Sequence, residues 1–158
     1  IQNENEEASG VDNLEVLKLI NFEEETAGSY MTNSIVIYKE DIDVKKATKA
    51  LIKKAEDYES IQTVYVVDSK NKYLGQIKLK ELLKAKTPMT LFELVKSKPT
   101  VNINLDSAEL AKHIKHYGAY DIPVVDNDLT LVGAITADDV LDIFKDEIQE
   151  DLEKLFLR

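Results

Sequence analysis

The sequence contains no cysteine and no tryptophan, and it has only five glycines and three prolines among 158 residues. Without cysteine the chain can form no disulfide, no thiolate zinc site and no cysteine nucleophile. Few glycines and prolines combined with 44% hydrophobic residues argue against wholesale disorder. The length and composition therefore predict one domain, or two small ones, with a packed core.

Long apolar runs and an excess of positive charge are also missing. The longest apolar runs are "SIVIY" (34–38), "VYVV" (64–67) and "LTLVGAI" (129–135), far short of the roughly 20 residues that a membrane-spanning helix needs. No secretory signal pattern opens the chain. The formal charge of −10 predicts no nucleic-acid partner, because phosphates would be repelled. Cations or basic partners suit the chain better.

The chain contains an internal repeat. "VYVVDSKNKYLGQIKLKELL" (64–83) matches "IPVVDNDLTLVGAITADDVL" (122–141) at a fixed offset of 58. Upstream, "IVIYKEDIDVKKATKALIKKA" (35–55) matches "TVNINLDSAELAKHIKHYG" (100–118) at an offset of 65. Each copy reads as a strand, a helix, two strands and a second helix. The pattern predicts an α/β fold made of tandem β-α-β-β-α repeats related by a pseudo-twofold axis.

The repeat sets the expected domain boundaries. We expect a polar tail and lead-in helix from a preceding domain over 1–29, repeat 1 over 30–86, repeat 2 over 92–147, a connector over 87–98, and the start of a further helix over 148–158. Within the lead-in, 11–25 has an amphipathic helical pattern. Because the chain starts without an initiator methionine and stops inside a helical pattern, we expect it to be a piece of something longer.

Helix boundaries are also readable from the sequence. Asp43 and either Asp106 or Ser107 stand where a side chain would cap the first helix of each repeat. Gly118 is placed to terminate the helix of the second repeat.

The last helical pattern, "TADDVLDIFKDEIQEDLEKL" (136–155), is amphipathic and acidic. Five carboxylates fall within an arc of about 80° at 3.6 residues per turn: Asp139, Asp142, Asp146, Glu150 and Glu153. The apolar side is expected to comprise Val140, Leu141, Phe144, Ile148, Leu152 and Leu155. Like charges at i,i+4 destabilise a helix by roughly 0.2–0.5 kcal/mol per pair. We therefore expect a group outside this segment to neutralise the carboxylates.

The layout, with "IPVVD…LVGAITADDVL" closing the second copy, resembles the cystathionine-β-synthase (CBS) domain pair, or Bateman module. Over residues 22–155 it looks more narrowly like the pair in MgtE-family magnesium transporters, whose entry is similar to "EETAGSYMT" (24–32) and whose exit is similar to 136–155. The resemblance implies a regulatory, dimeric module on the cytoplasmic side of a membrane. Its implied partners are a second copy, an acidic N-terminal domain and a transmembrane domain.

The resemblance also implies Mg²⁺ as a ligand that holds the assembly compact and the pore closed. Mg²⁺ prefers oxygen ligands, keeps several waters and often takes one or two carboxylates. The family's metal-linked acids correspond to Asp139, Asp142, Glu147, Glu150 and Asp151 of this sequence, and helical geometry adds Asp146. The alternative is that the acidic face is simply solvated.

Many CBS pairs bind ATP or AMP in their clefts, which makes an adenine-nucleotide sensor from another transporter or enzyme the alternative function. A Ser/Thr and an Asp three residues apart hold phosphate and ribose in such clefts. In this sequence the pattern is matched by Thr136 and Asp139, with Thr100, Ile122 and Pro123 completing the cleft. The first repeat departs from it, with Lys78 and Glu81 at these positions. A third possibility is a dimerisation scaffold without a ligand.

Other motifs have plainer explanations. His113 and His116 stand beside Lys112 and Lys115, which would repel a cation, so we expect no metal there. The basic segment "KKATKALIKK" (45–54) is a solvated surface, contacts an acidic partner, or pairs with the chain's own acidic face. No G-x-S-x-G, H-E-x-x-H, Walker or dinucleotide fingerprint occurs. We therefore expect no enzymatic activity.

Overall fold

The computed structural model describes residues 25–58, 61–118 and 121–156. The expected amphipathic segment 11–25 therefore lies outside the described residues, except for its last residue. The elements, in chain order, are α1 (Ala27–Tyr30), β1 (Val36–Lys39), α2 (Val44–Lys53), β2 (Thr63–Val67), β3 (Tyr73–Lys78), α3 (Leu79–Lys84), β4 (Val101–Asn102), α4 (Ser107–Tyr117), β5 (Ile122–Val125), β6 (Leu131–Ile135) and α5 (Ala137–Phe156). Short 3₁₀ turns at Ala55–Asp57 and Leu91–Glu93 were not predicted.

The predicted tandem β-α-β-β-α order is confirmed. One three-stranded sheet has the order β1-β2-β3, and a second has the order β4-β5-β6. In the first sheet β1 runs parallel to β2, with Tyr38 opposite Val66, and β3 runs antiparallel to β2. In the second sheet β4 runs parallel to β5, with Val101 opposite Val124. Each parallel pair is joined by a helical crossover, which is what parallel strands require.

The predicted caps of α2 and α4 are also confirmed. The Asp43 carboxylate accepts a hydrogen bond of 3.0 Å from the Lys46 amide, and the Asp106 carboxylate accepts one of 2.9 Å from the Glu109 amide. Asp106 rather than Ser107 is thus the cap of α4. Gly118 ends α4 with φ of +100°, a backbone region that glycine enters without strain.

The chain divides into two compact units. Among the described residues, the first unit comprises those of 34–98 and 128–131, and the second comprises those of 25–33, 99–127 and 132–156. In the first unit, α2 and α3 cover one core through Val44, Leu51 and Leu82, which pack with the buried strand residues Val64 and Ile77. Both helices therefore turn their other faces away from this core.

Residues 25–32, where the expected lead-in meets the expected start of repeat 1, pack with the second repeat. We call these residues the lead-in segment. Ala27 and Met31 are fully buried in the core of the second unit, together with Leu110, Val124 and Ile143. The Ala27 amide donates to the Leu105 carbonyl and the Gly28 amide to the Ile103 carbonyl, each at 2.8 Å. These bonds satisfy two of the amides that the start of a helix leaves without partners.

Gly75 and Gly133 occupy equivalent positions in the two repeats, and each lies against the backbone of a neighbouring segment. A Cβ added at Gly133 would lie 2.7 Å from the Thr32 carbonyl oxygen and 2.7 Å from the Met31 sulfur. A Cβ added at Gly75 would lie 2.9 Å from the Lys96 carbonyl oxygen. Thr32 bridges to Ala134 and Lys96 bridges to Gln76. The missing side chain at each glycine therefore leaves room for a passing backbone.

Most residues on the expected apolar side of the last helix are not buried. Of its six members, Val140 is buried and Phe144 is half-buried. Four are exposed, with relative exposures of 71% for Leu141, 60% for Ile148, 49% for Leu152 and 69% for Leu155. Ile143 supplies the fully buried contact instead. Within 25–58, 61–118 and 121–156, no helix is both long and apolar enough to cross a membrane.

Candidate functional site

One cleft of the second unit lies between the start of the described chain and α5. Glu25, Ser29 and Tyr30 line one side, and Asp146, Gln149, Glu150 and Glu153 line the other, around about 440 Å³ of space. The Tyr30 hydroxyl donates a 2.7 Å hydrogen bond to Asp146 Oδ2 and so fixes the two sides together. Four carboxylates thus surround one open cleft.

A second cleft of about 520 Å³ adjoins the same residues. Its lining shares Glu25 and Glu150 with the first cleft and adds Asp106, Ser107 and Glu147, among others. The Ser107 hydroxyl, which is buried, donates a 2.6 Å hydrogen bond to Glu147 Oε1. Glu147 is thereby held at the start of α4. We call the six carboxylates that line these two openings the acidic clefts: Glu25, Asp106, Asp146, Glu147, Glu150 and Glu153.

Burial and the surrounding carboxylates together raise the pKa of Tyr30. Burial raises the pKa of its hydroxyl well above the usual range, and the hydrogen bond to Asp146 raises it further. The charges of Asp146, Glu25 and Glu147 add to this rise in pKa, because a phenolate would be repelled by them. Lys154 offsets part of the charge, with its Nζ 3.4 Å from Glu150 Oε1.

The structure places three of the six sequence-predicted metal residues in the acidic clefts: Asp146, Glu147 and Glu150. The other three, Asp139, Asp142 and Asp151, line neither cleft. Asp139 caps the start of α5, since its Oδ2 accepts hydrogen bonds from the Thr136 amide at 2.8 Å and the Thr136 hydroxyl at 2.9 Å. Asp142 and Asp151 are exposed along the helix.

Glu25, Tyr30 and Asp106 were not among the predicted site residues. Glu25 and Tyr30 lie in "EETAGSYMT", the stretch that carried the family resemblance, but sequence spacing gives no sign that they meet α5. Asp106 was recognised only as a helix cap. Asp106 caps α4 and also lines the second cleft.

The chemistry of the acidic clefts fits a hydrated Mg²⁺ ion better than a dehydrated one. Within the described ranges, no three His, Asp or Glu side chains converge closely enough to hold a metal directly. Mg²⁺ commonly keeps several waters and takes only one or two carboxylates. Carboxylates spread around an open cleft can hold such an ion through its water shell.

The residues expected to bind a nucleotide do not line either acidic cleft. Ile122 and Pro123 are buried in the second unit, and Thr100 is half-buried. Thr136 and Asp139 are bonded to one another. A ribose at Asp139 would use its other carboxylate oxygen or displace the Thr136 hydroxyl.

The family model for the CBS domain matches residues 27–87 and 92–146. Among curated proteins, the chain is 36% identical over 142 residues to the magnesium transporter MgtE of Thermus thermophilus, which covers 89% of this chain and 32% of that protein. It is 32% identical over 142 residues to MgtE of Enterococcus faecalis, covering 89% and 31%. The chain therefore spans about a third of the length of these relatives.

Solved structures of magnesium-transporter domains also match the chain. A crystal structure of the soluble part of a magnesium transporter matches with a TM-score of 0.76 and 32% identity, covering 84% of this chain and 52% of that one. The cytosolic domain of the Mg²⁺ channel MgtE in complex with ATP matches with a TM-score of 0.72 and 35% identity, covering 81% and 52%. With two matched copies in tandem, the chain is a CBS domain pair and belongs to the CBS domain family.

Proposed function

We propose that this chain is the regulatory CBS region of a magnesium transporter and that it senses Mg²⁺ through the acidic face of α5 to gate transport. The observation that carries the proposal is the gathering of Glu25, Asp146, Glu150 and Glu153 around one cleft beside α1. Similarity to MgtE transporters over 89% of the chain supports it.

The proposed switch is electrostatic. Without a cation, the carboxylates of the acidic clefts repel one another and weaken the packing of the lead-in segment against α5. A divalent ion supplies two positive charges, reduces this repulsion and favours the compact state. The compact state corresponds to the closed pore. The proposed metal-binding set keeps Asp139, Asp142, Asp146, Glu147, Glu150 and Asp151 and adds Glu25 and Glu153.

The proposal includes the setting of the chain. The CBS pair lies on the cytoplasmic side of the membrane, forms a homodimer, and connects an acidic N-terminal domain to a transmembrane domain. The curated relatives are about three times as long as this chain, which leaves room for both domains.

Thermal unfolding tests the Mg²⁺ proposal. We expect 10 mM MgCl₂ to raise the melting temperature of the chain by several degrees over NaCl of equal ionic strength. In the triple variant Asp146→Asn, Glu150→Gln and Glu153→Gln the rise should fall by more than half. The variant should also melt higher than wild type without Mg²⁺, because like-charge repulsion is relieved.

A matched control neutralises three exposed carboxylates of the first unit, Asp41→Asn, Glu56→Gln and Asp57→Asn. This control has the same net charge as the test variant and should keep the wild-type response to Mg²⁺. An equal response in all three proteins, or no Mg²⁺-specific rise in wild type, would count against the acidic clefts as the sensor.

A second candidate function is ATP binding at Thr136 and Asp139, favoured by the similarity to the ATP complex of MgtE. In this proposal the Thr136 hydroxyl turns from Asp139 to a phosphate, and the Asp139 carboxylate accepts from the ribose hydroxyls. Isothermal titration with ATP, in the presence and absence of Mg²⁺, tests it. Thr136→Ala should abolish the binding heat and Thr136→Ser should restore it, whereas no heat in wild type rules the site out.

A further inference from the structure

The first unit carries a strong positive charge in an otherwise acidic chain. The unit, residues 34–98 and 128–131, contains 14 lysines and ten acidic residues, a formal charge of +4, while the remaining residues contain six basic and 20 acidic residues, a formal charge of −14. The net charge of −10 therefore hides two regions of opposite sign.

The lysines are concentrated on one surface. Because α2 and α3 contact one another and bury their other faces in the same core, their exposed faces adjoin. We call this surface the lysine face: Lys45, Lys46, Lys49, Lys53, Lys78, Lys80, Lys84 and Lys86, all of which are exposed. Within the described part of the chain, none of these eight ammonium groups forms an ion pair.

The arrangement opposes the stability of α2. Its first turn contains no acidic residue and carries Lys45 and Lys46, where the positive end of the helix dipole disfavours cations. Lys45, Lys49 and Lys53 follow at steps of four, so they repel along the helix. A surface whose charges weaken its own helix gains stability when an external anion neutralises them.

Two apolar side chains accompany the lysines. Ile52 on α2 is 69% exposed, and Leu83 on α3 is 62% exposed. Lysines with exposed aliphatic side chains between them match a surface of anionic headgroups, where ammonium groups meet phosphates and aliphatic groups enter the headgroup layer.

We propose that the lysine face binds the surface of an anionic phospholipid bilayer. Charge complementarity supports this occupant, as does the similarity of the chain to transporters, which work in membranes. The acidic remainder of the chain does not prevent binding, since salt screens charges beyond about 8 Å at physiological ionic strength. This contact lies in the first unit and is independent of Mg²⁺ sensing by the second.

Vesicle co-sedimentation tests the proposal. The probes are vesicles of 30% phosphatidylglycerol in phosphatidylcholine, and vesicles of phosphatidylcholine alone, both without Mg²⁺. We expect binding to the anionic vesicles only, and its loss in 0.5 M NaCl. Each lysine near an anionic surface strengthens binding on the order of fivefold. The variant Lys45→Gln, Lys49→Gln and Lys53→Gln should therefore bind on the order of 100-fold more weakly.

The matched control is Lys70→Gln, Lys112→Gln and Lys115→Gln, which changes the net charge equally and leaves the lysine face intact. Circular dichroism should show both variants folded, since glutamine has nearly the helix propensity of lysine. Retained binding in the control supports the proposal. Equal weakening in both variants, or no binding in wild type, overturns it. If only the first variant changes the mass of the free chain in sedimentation equilibrium, the lysine face is instead an interface between copies.

Discussion

Tyr30 and Asp146 are 116 residues apart in sequence, and the tyrosine hydroxyl donates a 2.7 Å hydrogen bond to the aspartate carboxylate. The bond ties α1 to α5, the last helix of the second repeat. Tyr30 lines the same cleft as the carboxylates of Glu25, Glu150 and Glu153. The acidic clefts therefore depend on a contact between the two ends of the described chain.

Removal of this hydroxyl should loosen the connection. We expect Tyr30→Phe to lower the free energy of unfolding by about 0.5–1.5 kcal/mol, the usual net contribution of one hydrogen bond, as measured by urea denaturation. The control is Tyr117→Phe, because Tyr117 is exposed and its ring packs against His113. Equal losses in the two variants would show that the bond to Asp146 adds nothing.

The close approach of backbone to Gly133 gives a second prediction. Gly133→Ala should destabilise the chain by about 1–3 kcal/mol, since the new methyl group would overlap the Thr32 carbonyl and overpacking has this size. Limited proteolysis should then cut more readily near 25–35. Gly75→Ala should instead increase cutting near 95–99, so each variant is the control of the other. The same cleavage pattern in both variants would show that Gly133 and Gly75 do not each make room for a different segment.

The cap of α4 can be tested by a conservative pair of substitutions. Asp106→Ala should lower the free energy of unfolding by about 1 kcal/mol, because the Glu109 amide loses its acceptor. Asp106→Asn should remain within a few tenths of wild type, as asparagine caps helices equally well. If both variants lose the same stability, the charge of Asp106 matters more than the cap.

His113 predicts a pH dependence. Burial lowers the pKa of this imidazole, and the charge of His116 lowers it further. The unfolded chain therefore binds a proton at higher pH than the folded chain does. The contribution of neutral His113 to the free energy of unfolding is fully present above the unfolded pKa of about 6.5. This contribution is lost as pH falls through the folded pKa.

Urea midpoints measured between pH 7.5 and 5 should fall less steeply in His113→Gln than in wild type. His116→Gln should give an intermediate slope, because it removes the smaller of the two causes. An unchanged slope in His113→Gln would show that other groups dominate this pH range.

The repeat and its elements were predictable because they depend on local physics. Runs of β-branched residues mark the strands, and the carboxylates of Asp43 and Asp106 mark the helix starts. These signals lie within a few residues of what they determine. The prediction for α5 was only partly right for the same reason: periodicity shows that Leu141 and Ile148 share a side with one another, but not which side meets the core.

Some residues of the acidic clefts were predictable from the sequence and others were not. Asp146 was predicted from the spacing of carboxylates on one helix, and Glu147 and Glu150 were implied as metal-linked acids by the family resemblance. Glu25 joins them only through tertiary contacts. The sequence by itself determined the tandem fold, the caps and the acidic helix, since each follows from neighbouring residues. Only the tertiary structure decided that the lead-in segment packs with the second repeat and closes the acidic clefts. That choice depends on the space left by Gly133 and on hydrogen bonds between residues far apart in the chain.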